Sequence, residues 1–158
     1  MCFPVFSQEY KLPPQVIKSL IEADPQPIIS FNDNGSLGLV LYPDGYQSID
    51  DLAKDELRIA GTRLDPVRYT SSRMRYYKSF SLLETKTGEE INIEYPNNGK
   101  FSFFQWSPNE EKIAFTNTTN QGVELWTIDV NSRKSSKVID TYVNDILNSP
   151  FQWFNSNN

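Results

Sequence analysis

Residues 106–134 read WSPNEEKIAFTNTTNQGVELWTIDVNSRK and contain the pattern that decides the fold. Apolar runs at 112–117 and 123–130 are typical of buried β-strands, and turn residues flank both runs. Related stretches begin at Phe31 (FNDNGSLGLV) and at Trp153 (WFNSNN). Trp153 lies 47 residues after Trp106, which is about the period of a four-stranded propeller blade. The sequence therefore predicts an all-β protein built from repeated units.

A second element repeats at a similar interval. FSLLETKTGE from Phe80 matches LWTIDVNSRK from Leu125, 45 residues further along. Both combine an apolar strand, an acidic residue, a turn and a return strand. The repeat departs from its usual turn chemistry at Glu110 and Arg133, because each stands where glycine commonly makes the turn.

Two short helices precede or interrupt the strands. Pro14 suits the start of a helix whose apolar side chains are Val16, Ile17, Leu20 and Ile21, and Pro25 and Pro27 end it. Ser48, followed three residues later by Asp51, predicts a capped helix within 48–57. Strands are predicted at 28–31, 37–42, 67–70, 76–84, 90–95, 101–106, 112–117, 123–130 and 136–141.

The length of 158 residues limits the number of repeats. Propeller rings have four to eight blades, and about 45 residues per blade allows at most about three here. We therefore expect a partial β-propeller of about two to three blades with one or two short helices. Blade one, with an insertion at 43–78, precedes blade two at about 100–148 and the start of blade three at 149–158. Residues 1–9 resemble the remnant of a signal peptide, and the alternative is an ordinary chain terminus.

Composition excludes several kinds of chemistry. The chain has no histidine, so a Ser-His-Asp system cannot be assembled from it, and its single cysteine, Cys2, cannot form an internal disulfide. The sequence predicts no catalytic residue, no cofactor-binding residue and no metal ligand. No apolar run is long enough to span a membrane, and the net charge of −5 argues against nucleic acid as a partner.

Positive charge is concentrated in the predicted insertion. Residues 58–78 contain five arginines and one lysine but a single acidic residue. Because guanidinium groups suit carboxylates, Arg58, Arg63 and Arg73 are candidates for binding a carboxylate. The other interpretations pair the arginines with acids at 50–56, or use them with nearby tyrosines to bind single-stranded nucleic acid.

The quoted segments also resemble a known family. Residues 106–134 are similar to the propeller repeat of prolyl oligopeptidase family serine peptidases. The stretches at 10–35 (YKLPPQVIKSLIEADPQPIISFNDNG) and 56–91 (ELRIAGTRLDPVRYTSSRMRYYKSFSLLETKTGEEI) resemble the glutamyl endopeptidase branch of that family. In that family a propeller filters substrates, and a carboxy-terminal α/β-hydrolase domain carries the catalytic serine on a Gly-x-Ser-x-Gly motif. That motif is absent here, so no catalytic residue is carried over.

The resemblance implies a propeller fragment of a secreted or periplasmic serine peptidase. It also implies that the carboxylate bound by Arg58, Arg63 and Arg73 would be that of a glutamyl substrate. The partners of the fragment would be a peptide substrate and the missing hydrolase domain, and the chain alone would be inactive. The alternative is a non-catalytic binding module completed by oligomerisation. Exposed blade faces would make an orphan fragment prone to aggregation, whereas an evolved module would form a defined oligomer.

Overall fold

The computed structural model describes residues 11–97 and 99–154. The possible signal remnant at 1–9 and the final residues of the predicted third blade, 155–158, lie outside the described residues. The helices are α1 (Gln15–Ile21) and α2 (Ile49–Leu52). The strands are β1 (Ile28–Phe31), β2 (Leu37–Pro43), β3 (Leu57–Ile59), β4 (Thr62–Asp65), β5 (Thr70–Ser71), β6 (Tyr77–Glu84), β7 (Glu90–Ile91), β8 (Lys100–Trp106), β9 (Lys112–Thr118), β10 (Val123–Asp129) and β11 (Lys134–Lys137).

The long strands form two four-stranded antiparallel units. In the first unit β1 pairs with β2, β2 with β6, and β6 with β7. In the second unit β8, β9, β10 and β11 pair in chain order. Strands β6 and β8 pair at Tyr77 and Phe101, which joins the two units into one sheet, and Glu94, after β7, pairs with Lys134 of β11. The all-β prediction with two short helices is confirmed, and the two four-stranded units are what a partial propeller requires.

The core is a cluster of apolar side chains contributed by both units. Alternate residues of each strand point to one face, and in both units that face carries the large apolar side chains. Phe80 packs against Phe101 and Phe115 at ring-centroid distances of 5.1 Å. The other buried members are Leu39, Leu41, Leu82, Ile93, Ile113 and Ile128. Trp106 and Trp126 pack against this cluster, half-buried.

Residues between β2 and β6 form the insertion, which holds α2 and a separate antiparallel sheet of β3, β4 and β5. Neither β3 nor β4 was among the predicted strands. The strand predicted at 67–70 is wrong except at Thr70, because residues 66–69 form a turn. The Asp65 carboxylate accepts the backbone N–H groups of Val67 and Arg68 at 2.9 and 3.0 Å, which favours this turn.

The remaining elements differ from prediction mainly in their ends. The strand predicted at 90–95 is reduced to β7, and the helix predicted within 48–57 ends at Leu52. The strand predicted at 136–141 begins earlier, as β11, and ends at Lys137. Ser48 caps α2 as predicted, since its hydroxyl accepts the Asp51 backbone N–H at 3.0 Å. Helix α1 buries none of its residues, although its apolar spacing is that of an amphipathic helix.

Candidate functional site

The insertion is closed at its base by two hydrogen bonds. The backbone N–H of Asp44 donates to the carbonyl of Tyr76 at 2.8 Å. The side-chain amide of Gln47 donates to the carbonyl of Met74 at 3.1 Å. These contacts hold the two ends of the insertion side by side, where the chain leaves β2 and enters β6.

Contacts with the second unit fix the insertion against the propeller strands. The Nζ atom of Lys100, the first residue of β8, lies 3.0 Å from the Asp51 carboxylate and 5.6 Å from the centre of the Tyr76 ring. Hydrogen bonds from Lys54 and then Lys100 hold the pKa of Asp51 well below its ordinary value. The backbone N–H of Asp145 donates to the carbonyl of Tyr69 at 3.2 Å. The insertion therefore does not depend on its own small sheet alone for its position.

A groove of about 220 Å³ lies between α2, residues 70–76 and Lys100. Its lining includes five basic and five acidic side chains. Within the described residues, Arg75 lines the groove without a carboxylate oxygen within 4.0 Å of its guanidinium. A lining of mixed charge suits a polar ligand with both acidic and basic groups better than a uniformly anionic polymer.

The three candidate arginines converge on one carboxylate, that of Glu56. Oε1 of Glu56 lies 3.0 Å from the Arg58 guanidinium and 2.5 Å from that of Arg63. Oε2 accepts the Ser72 hydroxyl at 3.0 Å and lies 3.8 Å from the Arg73 guanidinium. We call Arg58, Arg63, Arg73 and Glu56 the arginine cluster. It carries three positive charges and one negative charge.

Strand register explains why these residues meet. Arg58 on β3 lies directly opposite Arg63 on β4, and like charges in that arrangement repel each other. Glu56 immediately precedes β3, and Arg73 follows β5 by two residues. The small sheet therefore brings the three guanidinium groups together, and the Glu56 carboxylate offsets their repulsion.

Burial and charge act in opposite directions on Glu56. Desolvation raises the pKa of its carboxyl, but hydrogen bonds from Ser72, Arg58 and Arg63 outweigh that effect and lower the pKa. The Glu56 side chain is only 17% exposed, whereas those of Arg58 and Arg73 are 67% and 57% exposed. The guanidinium groups of Arg58 and Arg73 are therefore exposed to solvent, whereas the Glu56 carboxylate between them is mostly buried.

Arg68 has a different environment from the three clustered arginines. Its guanidinium lies 3.1 Å from the carboxylate of Asp65, and both side chains are largely buried. Because Asp65 also accepts two backbone N–H groups of the following turn, this ion pair stabilises the turn between β4 and β5.

A small set of unpaired polar atoms is buried beneath the insertion. Asp145 is 2% exposed, and within the described residues neither of its carboxylate oxygens has a hydrogen-bond partner. The hydroxyls of Thr70 and Thr118 are also buried without partners there. Desolvation raises the pKa of Asp145, and the nearby Thr70 hydroxyl opposes the shift only in part. The sequence gives no signal for this carboxyl, because burial of a single Asp in an irregular segment depends on tertiary packing.

The tyrosines considered for nucleic-acid stacking do not form one stacking surface. Tyr77 packs edge-on against Phe104 in the core, with ring centroids 5.7 Å apart, while Tyr76 faces the groove and Tyr69 is exposed. Stacking along a single strand needs several rings presented on the same side.

Within residues 11–97 and 99–154, no group of three or more His, Cys, Asp or Glu side chains is placed to hold a metal ion. No helix in this part of the chain is long and apolar enough to cross a membrane.

The sequence predicted Arg58, Arg63 and Arg73 as recognition candidates, and the structure brings all three to Glu56. This is the pairing with acids at 50–56 that the second interpretation predicted, and recognition of a substrate carboxylate stays a prediction. Sequence reasoning included Glu56 only as one of several possible acidic partners and did not single out Arg75 or Lys100 as site residues. Arg75 could have been found from its place in the same run of arginines. Lys100 could not, because its role depends on β8 lying beside α2.

No protein-family model matches the chain. It is 30% identical, over 93% of its length, to a protein of Oryza sativa subsp. japonica named "Probable glutamyl endopeptidase, chloroplastic". A protein of Arabidopsis thaliana with the same name is 28% identical over 93% of the chain. The chain is homologous to part of a glutamyl endopeptidase. This relationship confirms the resemblance on which the sequence analysis relied.

The chain spans 17% of the length of each of these glutamyl endopeptidase relatives. A solved structure described as a dipeptidyl aminopeptidase IV from Bacteroides ovatus superimposes with a TM-score of 0.43 and 12% sequence identity. The superposition covers 78% of the present chain and 21% of the Bacteroides chain. The names of the plant relatives assign them to the chloroplast.

Proposed function

We propose that the chain is the substrate-selecting propeller part of a serine peptidase of the glutamyl endopeptidase type. Peptide-bond hydrolysis would take place in an α/β-hydrolase domain outside the present sequence. The observation that carries this proposal is the arginine cluster, in which three guanidinium groups meet in a chain related to endopeptidases that are named for glutamate.

Selection would rest on charge and on hydrogen-bond geometry. The arginine cluster has a net charge of two positive units, and the side chains of Arg58 and Arg73 face solvent. A guanidinium group can donate two parallel hydrogen bonds to a carboxylate, whereas a neutral amide pairs with it less strongly. A glutamyl side chain approaching the insertion would therefore bind in preference to a glutaminyl side chain.

A binding measurement tests this proposal. Two fluorescent peptides that differ only in one glutamyl or glutaminyl residue are titrated with the purified chain, and binding is followed by anisotropy. We expect the glutamyl peptide to bind more tightly, and Arg58→Ala and Arg73→Ala each to reduce the difference by about three- to tenfold.

Lys134→Ala is the matched control, because Lys134 is an exposed cation of β11 paired with Glu94 outside the cluster. Equal affinity for the two peptides in the wild-type chain would contradict the proposal. The same preparation should not hydrolyse the glutamyl peptide, and cleavage that a serine-directed reagent abolishes would show that the chain is itself a peptidase.

A non-catalytic binding module completed by self-association is the second candidate. Exposed apolar side chains near the start of the described chain favour it: Leu12, Val16 and Leu20 in and before α1, and Ile28 and Phe31 in β1. An evolved module should sediment as a defined oligomer with a cooperative thermal transition, whereas an isolated fragment should aggregate.

A secreted or periplasmic location belongs to this proposal as well. It follows from the possible signal remnant at residues 1–9 and from the family resemblance. Cell fractionation followed by immunoblotting with an antibody against this chain would test it, since recovery in the cytoplasmic fraction alone would contradict the proposed location.

A further inference from the structure

We propose that Glu56 is an internal competitor of the peptide carboxylate: it occupies the arginine cluster from within the chain and lowers the cluster's affinity for an incoming glutamyl side chain. This inference rests on the proposed function and adds a form of regulation to the same site. It depends on which groups Glu56 contacts, on where Glu56 lies in the insertion and on what remains free around it.

Both oxygens of the Glu56 carboxylate are engaged. Oε1 lies within 3.0 Å of Arg58 and Arg63, and Oε2 accepts the hydroxyl of Ser72 and lies near Arg73. A glutamyl side chain of a peptide carries the same carboxylate on the same two-carbon stem. Glu56 therefore occupies the position, and uses the donors, that a bound glutamyl side chain would require.

The position of Glu56 in the chain allows exchange. It lies in the short link between α2 and β3, outside both elements, so its side chain can turn away without breaking a strand pairing. The Arg58 and Arg73 side chains that surround it are exposed and can follow an incoming carboxylate. The competing carboxylate is thus tethered, while the groups that hold it remain accessible from solvent.

Removing the Glu56 charge should strengthen binding for two reasons. The net charge of the cluster would rise from two to three positive units, and the donors on Arg58 and Arg63 that now contact Oε1 would meet at most a neutral amide oxygen, which a carboxylate displaces more easily. A charge-assisted hydrogen bond is stronger than a neutral one, so we expect Glu56→Gln to bind a free carboxylate about tenfold more tightly than the wild-type chain.

The probe is N-acetylglutamate α-amide, which carries only the side-chain carboxylate, and N-acetylglutamine α-amide is its neutral counterpart. Binding to the full 158-residue chain is followed through the guanidinium N–H signals in NMR spectra. Glu94→Gln is the matched control, because it removes an exposed carboxylate paired with Lys134 outside the cluster. It should leave the affinity unchanged.

Two further variants keep the test decisive. Glu56→Asp retains the charge and should not show the tenfold gain, even if its shorter stem disturbs the local packing. Adding Arg63→Ala to Glu56→Gln should reverse the gain, because Arg63 makes the shortest contact with the carboxylate. A folded Glu56→Gln variant whose affinity equals or falls below that of the wild-type chain would overturn the inference.

Failure of the inference can be told apart from failure of the proposed function. If the wild-type chain prefers the glutamyl peptide but Glu56→Gln gains nothing, the selecting role stands and internal competition is wrong. If Glu56→Gln gains affinity for the small carboxylate while neither protein distinguishes the two peptides, Glu56 does compete but the cluster does not select peptides. Absence of carboxylate binding by both proteins overturns both proposals.

Discussion

The carboxylate of Glu110 accepts the backbone N–H of Asp33 at 2.6 Å, which links the first turn of the second unit to the first turn of the first unit. Its other oxygen accepts the side-chain amides of Asn32 and Asn34 at 3.0 and 2.6 Å. Glu110 stands where the repeat usually has glycine, and its φ of 59° is in the left-handed region that glycine favours. The positive φ of Glu110 destabilises the fold, whereas its three hydrogen bonds between the units stabilise it.

Glu110→Ala should destabilise the chain by about 1–3 kcal/mol, because it removes three hydrogen bonds to a carboxylate and keeps the unfavourable φ. Glu110→Gly should cost less, since glycine relieves the backbone strain. Urea denaturation monitored by tryptophan fluorescence would measure both changes. If Glu110→Gly is more stable than the wild-type chain, the contacts with Asn32, Asp33 and Asn34 contribute less than the strain.

Arg133→Gly provides the contrasting case. Arg133 has a φ of 60°, and within the described residues its side chain forms no ion pair. Glycine should therefore stabilise the chain by about 0.5–1 kcal/mol, since strain is relieved and little is lost. The same urea titration measures this change in the free energy of unfolding. A destabilised variant would show that the Arg133 side chain makes a contact that stabilises the fold by more than the backbone strain destabilises it.

The sequence predicted the long strands of the two units, because these strands are apolar runs bounded by turn residues, as at 112–117 and 123–130. Strands β3 and β4 were not predicted, because the chain reverses between them at Ala60 and Gly61, whose φ values are 49° and 86°. Alanine is an unusual residue in that conformation, so the sequence carries no turn signal there. Convergence of the arginines on Glu56 depends on the register of those two strands, so local patterns could not predict it.

Asp145→Asn should stabilise the chain at neutral pH. The folded state raises the pKa of Asp145 above 3.8, so an unfolded chain loses this proton more readily than a folded one as the pH rises. The destabilising effect is absent below the unfolded pKa, grows as the pH rises above it and levels off above the folded pKa. Replacing the unpaired buried carboxyl with a neutral amide should contribute about 1–3 kcal/mol at pH 7.

Thermal melts of Asp145→Asn and the wild-type chain at pH 3.5 and pH 7 would measure this difference. We expect the melting temperatures to be close at the lower pH and the variant to melt at a higher temperature at pH 7. A variant that is less stable at pH 7 would mean that the folded protein uses the ionised carboxylate of Asp145. Asp140→Asn is a control on an exposed carboxyl of the same stretch of chain.

Lys100→Met should loosen the insertion without unfolding the two units. The substitution keeps the length of the side chain but removes the cation that contacts Asp51 and the Tyr76 ring. Hydrogen bonds from Lys54 and then Lys100 depress the pKa of Asp51 in the folded state. The part of this stabilisation that Lys100 supplies is present above the unfolded pKa of 3.8 and is lost as the pH falls through the depressed folded value. The cost at pH 7 should be about 0.5–1.5 kcal/mol for a partly exposed pair.

Hydrogen exchange measured by mass spectrometry would localise the effect of Lys100→Met. We expect faster exchange in residues 44–76 and unchanged exchange in β9 and β10. Lys112→Met is the control, because Lys112 is an exposed lysine of β9 away from the insertion. Equal exchange in the insertion of both variants would show that the insertion keeps its position without Lys100. The remaining contacts, made by Asp44, Gln47 and the Asp145 backbone, would then be sufficient.

Phe115→Ala should destabilise both units together. Phe115 is fully buried in β9 and packs against Phe80 of the first unit as well as Phe101 and Phe104 of the second. Deleting its ring should cost about 3–5 kcal/mol, through lost burial and the cavity left behind. Phe154→Ala is the matched control, since Phe154 is 94% exposed. One cooperative transition at a lower urea concentration is expected, whereas two separated transitions would show that the units fold independently of their shared aromatic core.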